Sequence, residues 1–200
     1  MAATSFHDVY KSIKDRTIAP IGHLRTLFMA AHMTRKLPGV AAEMGAYRGG
    51  SAALLAQVLS EKRVHVFDTF SGIPEGEGVS GGVHTGAMAA DEKDVRNYLA
   101  PYPNIEIHAG FFPKTFAGLE KERFSLAHFD GDTYQSCKDF ISIFWPRMVE
   151  RGVLVFHDYD CPTLPGVKRA IKEAGLYAIV ADHSWPDGAF VIKWRAPPVA

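Results

Sequence analysis

Five short apolar segments, separated by turns and helix-like stretches, restrict this chain to few architectures. They are GVAAEM (39–44), RVHVF (63–67), IEIHA (105–109), SLAHF (125–129) and GVLVF (152–156). Each has strand length, and each is bounded by turn residues or a helix start. Between them lie helical patterns at Ser51 to Ser60, Asp91 to Leu99, Tyr134 to Trp145 and Val167 to Ala174. Such alternation predicts parallel strands with crossover helices, an α/β doubly wound sheet. The tail differs: YAIVA (177–181) and AFVIKW (189–194) flank a turn-rich stretch. They predict an antiparallel hairpin at one sheet edge. Ile21 to Lys36 predicts a helix packed outside the sheet. The expected organisation is one domain over 1–200, with an N-terminal helical segment (1–37) and an α/β core (38–200).

Composition removes several function classes. The 22 basic and 22 acidic residues cancel, so no charge excess points to nucleic acid or an anionic membrane. No apolar run approaches the roughly 20 residues of a membrane span. Charges near the N-terminus interrupt what a signal peptide would need as its apolar core. Cys137 and Cys161 form neither a framework nor a C-x-x-C pair. They read as reduced thiols, which predicts a cytoplasmic location.

The first strand leads into EMGAYRGGS, with Glu43, Gly45, Gly49, Gly50 and Ser51 where an open α/β sheet binds ligands. Glycine lets a ligand approach the backbone, and the helix starting near Ser51 offers free N–H groups. That helix end suits a carboxylate or phosphate. Glu43 disfavours phosphate and favours an amine. The spacing also departs from G-x-G-x-x-G. Asp68 ends the second strand, 23 residues beyond Gly45, where an acid meets ribose hydroxyls in such folds. An amino acid joined to a nucleoside satisfies both ends, which points to S-adenosylmethionine. The simpler reading of the glycines is a tight strand–helix corner.

Further acids follow strands four and five: Asp130 and Asp132 in HFDGDTYQS, then His157, Asp158 and Asp160 in FHDYDCP. Carboxylates gathered in one crevice repel one another, and a divalent cation would relieve this. Aspartate oxygens suit Mg²⁺ or Ca²⁺, while a histidine moves the balance toward Mn²⁺, Fe²⁺ or Zn²⁺. The alternative is a set of strand-end and helix caps. After strand three, Gly110 and Phe111 fall where an adenine ring would lie. The 71–90 stretch is the one long irregular segment, and its glycines allow it to close as a lid. His84 and Glu75 within it, and Trp185 in the tail, read as solvated loop or turn residues.

Six segments in order, from EMGAYRGGSAALLA and VFDTFSGIPE to LAHFDGDTYQS and GVLVFHDYDCPTLPGVKRAI, resemble the macrocin-type O-methyltransferases, over about residues 38–175. The resemblance implies a class I, Rossmann-like methyltransferase fold with a seven-stranded, mostly parallel sheet. It implies S-adenosylmethionine as cofactor, Mg²⁺ as the usual metal, and a small hydroxylated acceptor such as a sugar or phenol. It also leaves room for a homodimer. By this match Asp130 is a metal ligand that also borders the cofactor, and Asp132 is the general base. Ser71 joins Glu43, Gly45, Gly49, Ser51, Asp68, Gly110 and Phe111 as cofactor-binding. The family commonly has two adjacent acids after strand five. Here the pair is His157-Asp158, so Asp158 carries over as a ligand and His157 stands where the family has an acid. Two rivals remain: a metal-dependent glycosyltransferase using the DGD segment, which leaves Glu43 unexplained, and a non-catalytic S-adenosylmethionine-binding protein. A phosphohydrolase is excluded, because its nucleophile belongs on the first strand.

Overall fold

The computed structural model describes residues 5–74, 84–180 and 189–193. Helices α1 (Phe6–Ile13) and α2 (Ile21–Thr34) precede strand β1 (Val40–Met44). Then follow α3 (Gly50–Val58), β2 (Val64–Asp68), α4 (Glu92–Leu99), β3 (Ile105–Ala109), β4 (Phe124–Phe129), α5 (Tyr134–Phe144), β5 (Met148–Phe156), α6 (Gly166–Glu173), β6 (Ile179–Val180) and β7 (Ala189–Ile192). The seven strands run in the order β3-β2-β1-β4-β5-β7-β6. All pair in parallel except β7, which is antiparallel to both β5 and β6. This is the doubly wound sheet with a C-terminal antiparallel pair that the alternation predicts. The segment between β6 and β7, including Trp185, lies outside the described residues, as does Glu75.

Strand alternation divides the core in two. Val64 and Val66 of β2 face α1, α2 and α3, in an aliphatic layer with Ile13, Leu24, Leu27, Leu54, Leu55 and Val155. The opposite face is aromatic: Phe67, Phe116, Phe124, Phe140, Phe144 and Phe156 pack together beneath α5 and α6. Helix α3 is buried from Gly50 through Ala56, consistent with an Ala- and Leu-rich helix held between neighbours. Local chemistry sets the helix starts. Asp91 caps α4 by accepting from Asp94 N–H at 2.9 Å, and Thr133 caps α5 by accepting from Ser136 N–H at 3.2 Å.

Strands one to five appear where the apolar segments place them, although β5 begins four residues earlier, at Met148 rather than Gly152. The N-terminal segment expected to be helical over 1–37 holds two helices, and the first, α1, is capped by Ser5 and packed through Val9 and Ile13. Helix α2 lies on the sheet against β4 and β5 and beside α3. Among the described residues no helix is long and apolar enough to cross a membrane.

Candidate active site

The strand order reverses between β1 and β4, and a cavity of ≈ 360 Å³ opens at the C-terminal ends of the strands there. Every strand from β1 to β5 contributes through the loop that follows it. Gly45 and Ser51 line it after β1, Asp68 after β2, Gly110 and Phe111 after β3, Asp130 and Asp132 after β4, and His157 and Asp158 after β5. Residues 16–20, before α2, close one side.

The glycine turn is shaped by the protein's own neighbours. Gly45 has φ +90°, and a Cβ there would stand 1.9 Å from the carbonyl oxygen of Asp130. The tips of β1 and β4 touch, and only glycine permits it. Gly49 is not in the cavity wall; it abuts the side chain of Leu99 instead. The turn is braced by Asp68, whose Oδ2 accepts from the N–H groups of Ala46 (2.6 Å) and Tyr47 (2.9 Å). Its Oδ1 accepts from Phe70 N–H at 2.7 Å. Burial raises the Asp68 pKa against these three donors. Part of its acceptor capacity is therefore spent on backbone, which leaves room for a ligand on Oδ1. Ser71 is exposed and outside the wall; its N–H donates to Thr69 Oγ1 at 3.2 Å, and Thr69 lines the cavity in its place.

Glu43 also lies behind the wall, fully buried. The β1–β4 register sets Glu43 beside His128 on the face covered by α2. His128 Nδ1 is 2.9 Å from Glu43 Oε1, and His128 Nε2 is 2.8 Å from His23 Nε2 of α2. Burial raises the Glu43 pKa, with His128 and then Ser51 opposing. Glu43 Oε2 is buried with no partner. His23 in turn meets His157 edge to face, ring centres 4.4 Å apart. Burial, then His157 and His128, hold the His23 pKa well below its usual value. A buried line of polar groups thus runs from β1 through β4 and α2 to the acids of the cavity. Nothing in the sequence pattern singles out His23 and His128; they become visible only when α2 is known to cover β4 and β5.

The acids converge as the strand ends suggest. His157 Nδ1 lies 3.0 Å from Asp130 Oδ1 and 2.9 Å from Asp158 Oδ2. These three residues offer ligand atoms within 4.8 Å of one another. Burial would lower the His157 pKa, but Asp130 and Asp158 override it and hold it well above its usual value. Burial disfavours the Asp130 carboxylate, yet His157 draws its pKa below the ordinary range. Asp132 is pushed up to about 8 by burial and then by Asp130 and Asp158. Asp132 (φ +59°) and Asp158 (φ +55°) both hold left-handed backbone, an uncommon conformation for such residues and one that clusters at functional sites. Asp160 points elsewhere, paired with Lys168 at 2.6 Å.

The macrocin-O-methyltransferase (TylF) family model matches residues 19–178, which covers α2, strands β1 to β5 and the cavity wall apart from Arg16, Thr17 and Ile18. The chain belongs to that family. Two Streptomyces relatives agree with the assignment. The 8-demethyl-8-(2,3-dimethoxy-alpha-L-rhamnosyl)-tetracenomycin-C 4'-O-methyltransferase of Streptomyces olivaceus is 29% identical, the match covering 80% of this chain and 66% of that protein. The demethyldecarbamoylnovobiocin O-methyltransferase of Streptomyces niveus is 28% identical, over 74% of this chain and 62% of that protein. The chain thus spans slightly under two thirds of the length of these curated relatives. Among solved structures, the O-methyltransferase NovP shares the fold with a TM-score of 0.76 at 22% identity, covering 90% of this chain and 83% of that one. Within the macrocin-O-methyltransferase frame, the residues that sequence reasoning missed are His23, His128 and the wall at 16–20.

Proposed function

We propose that this protein is an S-adenosylmethionine-dependent O-methyltransferase that acts on a hydroxyl of a small molecule, a sugar or phenol of the natural-product kind. The observation that carries the reading is the single cavity at the switch point, where the Asp68-braced turn faces Asp130, Asp132, His157 and Asp158. Its volume lies within the range of small-ligand pockets. The names of both Streptomyces relatives, each an O-methyltransferase of a natural product, support the acceptor class.

S-adenosylmethionine supplies an electrophilic methyl group when bound. The residues that fit it are those of the wall: Gly45 and Ser51 beside the turn, Asp68 with its remaining lone pair, Gly110, and Phe111 as a stacking face. Asp130 borders them. Glu43 and Gly49 lie behind the wall and shape the turn, while Ser71 is exposed and only donates its N–H to Thr69 Oγ1. The protein's work is to align the acceptor oxygen with the methyl, exclude water and receive the hydroxyl proton. Asp132 is the residue that would receive that proton from the acceptor hydroxyl. Burial and the charges of Asp130 and Asp158 push the Asp132 pKa up to about 8, and a cation held by those two acids would lower it again while making the acceptor hydroxyl easier to deprotonate.

Asp130, His157 and Asp158 are the residues that would hold a divalent cation. Two carboxylates and an imidazole suit Mn²⁺, Fe²⁺ or Zn²⁺ more than Mg²⁺. The fit is supported by His157 Nδ1 standing 3.0 Å from Asp130 Oδ1 and 2.9 Å from Asp158 Oδ2, with Nε2 buried and without a hydrogen-bond partner. Such a cation lowers the pKa of a nearby hydroxyl and orients it.

Calorimetry with S-adenosylhomocysteine tests the cofactor. Transfer of labelled methyl to sugar and phenol acceptors, with and without EDTA and then with Mg²⁺ or Mn²⁺ restored, tests the chemistry and the metal. Binding of S-adenosylhomocysteine with methyl transfer is the expected result. Binding of a UDP-sugar in its place would overturn the reading in favour of a glycosyltransferase.

A further inference from the structure

Away from the cavity, we propose a zinc site at the sheet edge, formed by His65, Glu106 and His108. Strand β3 is the edge strand, and its register with β2 pairs His65 with Glu106 and Phe67 with His108. Alternation therefore sends His65, Glu106 and His108 to one face. His65 Nδ1 and His108 Nε2 are 2.9 Å apart. Glu106 directs one oxygen to each ring, at 3.8 Å from His65 Nδ1 and 3.7 Å from His108 Nε2. Ligand atoms around a tetrahedral zinc, each ~2.0–2.1 Å from the metal, stand ~3.3 Å from one another. The three measured separations bracket that value.

A single N–H···N hydrogen bond accounts for the two rings alone. It does not account for the carboxylate whose two oxygens each face one of the rings. The rings are also held rigidly. His65 is completely buried, with Phe124 near its ring. His108 stacks on Phe67 with centroids 4.7 Å apart and planes 16° from parallel. Glu106 is half exposed and leaves an outer position for water. Arg63 competes for this carboxylate at 3.7 Å from Oε2, while also reaching Glu122 at 3.4 Å. Two imidazole nitrogens and one carboxylate oxygen make a zinc donor set rather than the all-oxygen set of Mg²⁺ or Ca²⁺. None of the three residues lines the cavity. His108 precedes Gly110 by two positions, so the ion fastens the edge strand whose end carries Gly110 and Phe111 to the cavity.

The test strips the full chain with EDTA and titrates it with zinc chloride by calorimetry, with thermal unfolding as a parallel readout. The acids of the cavity offer zinc another place, so the background is His157→Ala. In that background one equivalent of zinc binds at micromolar concentration or better and raises the melting temperature. Adding His108→Ala abolishes binding or weakens it by at least about tenfold, and adding Glu106→Gln weakens it less. Both positions are partly exposed, and circular dichroism confirms that each variant is folded. Zinc binding indifferent to His108→Ala and Glu106→Gln, or no zinc binding in the His157→Ala background, overturns the proposal.

Discussion

Two groups of histidine and carboxylate sit on the same sheet and differ in what surrounds them. The central one joins Glu43, His128, His23, His157, Asp130 and Asp158 across β1, β4, β5 and α2, with Glu43 and His128 sealed from solvent. The edge one joins His65, Glu106 and His108 across two strands, and its carboxylate is half in water. The same residue types give unlike electrostatics. In the centre burial presses Glu43 up and His23 down, while the acids hold His157 up. At the edge burial lowers both His65 and His108, and Glu106 only partly opposes it. Depth and the number of facing elements, more than composition, decide what such a cluster can do.

The largest expected effect divides the two clusters by chemistry. Asp132→Asn lowers kcat by about 10²- to 10⁴-fold in a labelled-methyl assay, with S-adenosylhomocysteine binding retained. If the cation reading holds, Asp130→Asn costs a similar factor. Normal turnover in Asp132→Asn would remove Asp132, which lines the cavity beside the central group, from the chemistry.

Stability sharpens the contrast next. Glu43→Ala strands His128 and is expected to cost about 3 kcal/mol in urea unfolding. Glu106→Ala, without zinc, costs under ~1 kcal/mol, as exposed pairs do. Equal losses would mean that burial does not separate the clusters. Phe111→Ala is a smaller test, since it removes a stacking face that is 43% exposed. It weakens S-adenosylhomocysteine by roughly tenfold, with little change in unfolding.

The smallest effect is in the pH dependence. His65 and His108 are lowered in the folded state. Their contribution is whole above the unfolded value near 6.5 and is lost as pH falls toward the folded values. In the centre His23 behaves likewise, but His157 is raised. Its contribution is whole below about 6.5 and is lost as pH rises through the folded value. Zinc-free His108→Gln therefore flattens the fall in melting temperature from pH 7 to 5, whereas His157→Gln flattens the decline on the alkaline side. An unchanged acid limb in His108→Gln would contradict the edge assignment.

Much of this was legible beforehand because strand ends are legible. Short apolar runs bounded by turns gave β1 to β5, and Asp68, Asp130, Asp132 and Asp158, at or just past the ends of β2, β4 and β5, do meet in one cavity, while Asp160 turns to Lys168. What failed to show was facing. Glu43 is one residue short of the end of β1, so alternation turns it toward α2 rather than into the cavity. The glycines of the turn looked like ligand clearance; Gly45 and Gly49 in fact clear the Asp130 carbonyl and Leu99. His23 and His128 are 105 positions apart and meet only through tertiary packing. Left-handed backbone at Asp132 and Asp158 carries no sequence mark, since neither is glycine.

Residues 16–20 border the cavity and run directly into α2, whose His23 touches both His128 and His157. The Arg16 carbonyl also crowds so near Gly50 that a Cβ there would fall 2.7 Å from it. Residues 16–20 are therefore an inner lining of the cavity. An affinity tag or protease cut placed close to residue 16 would disturb the wall of the cavity itself.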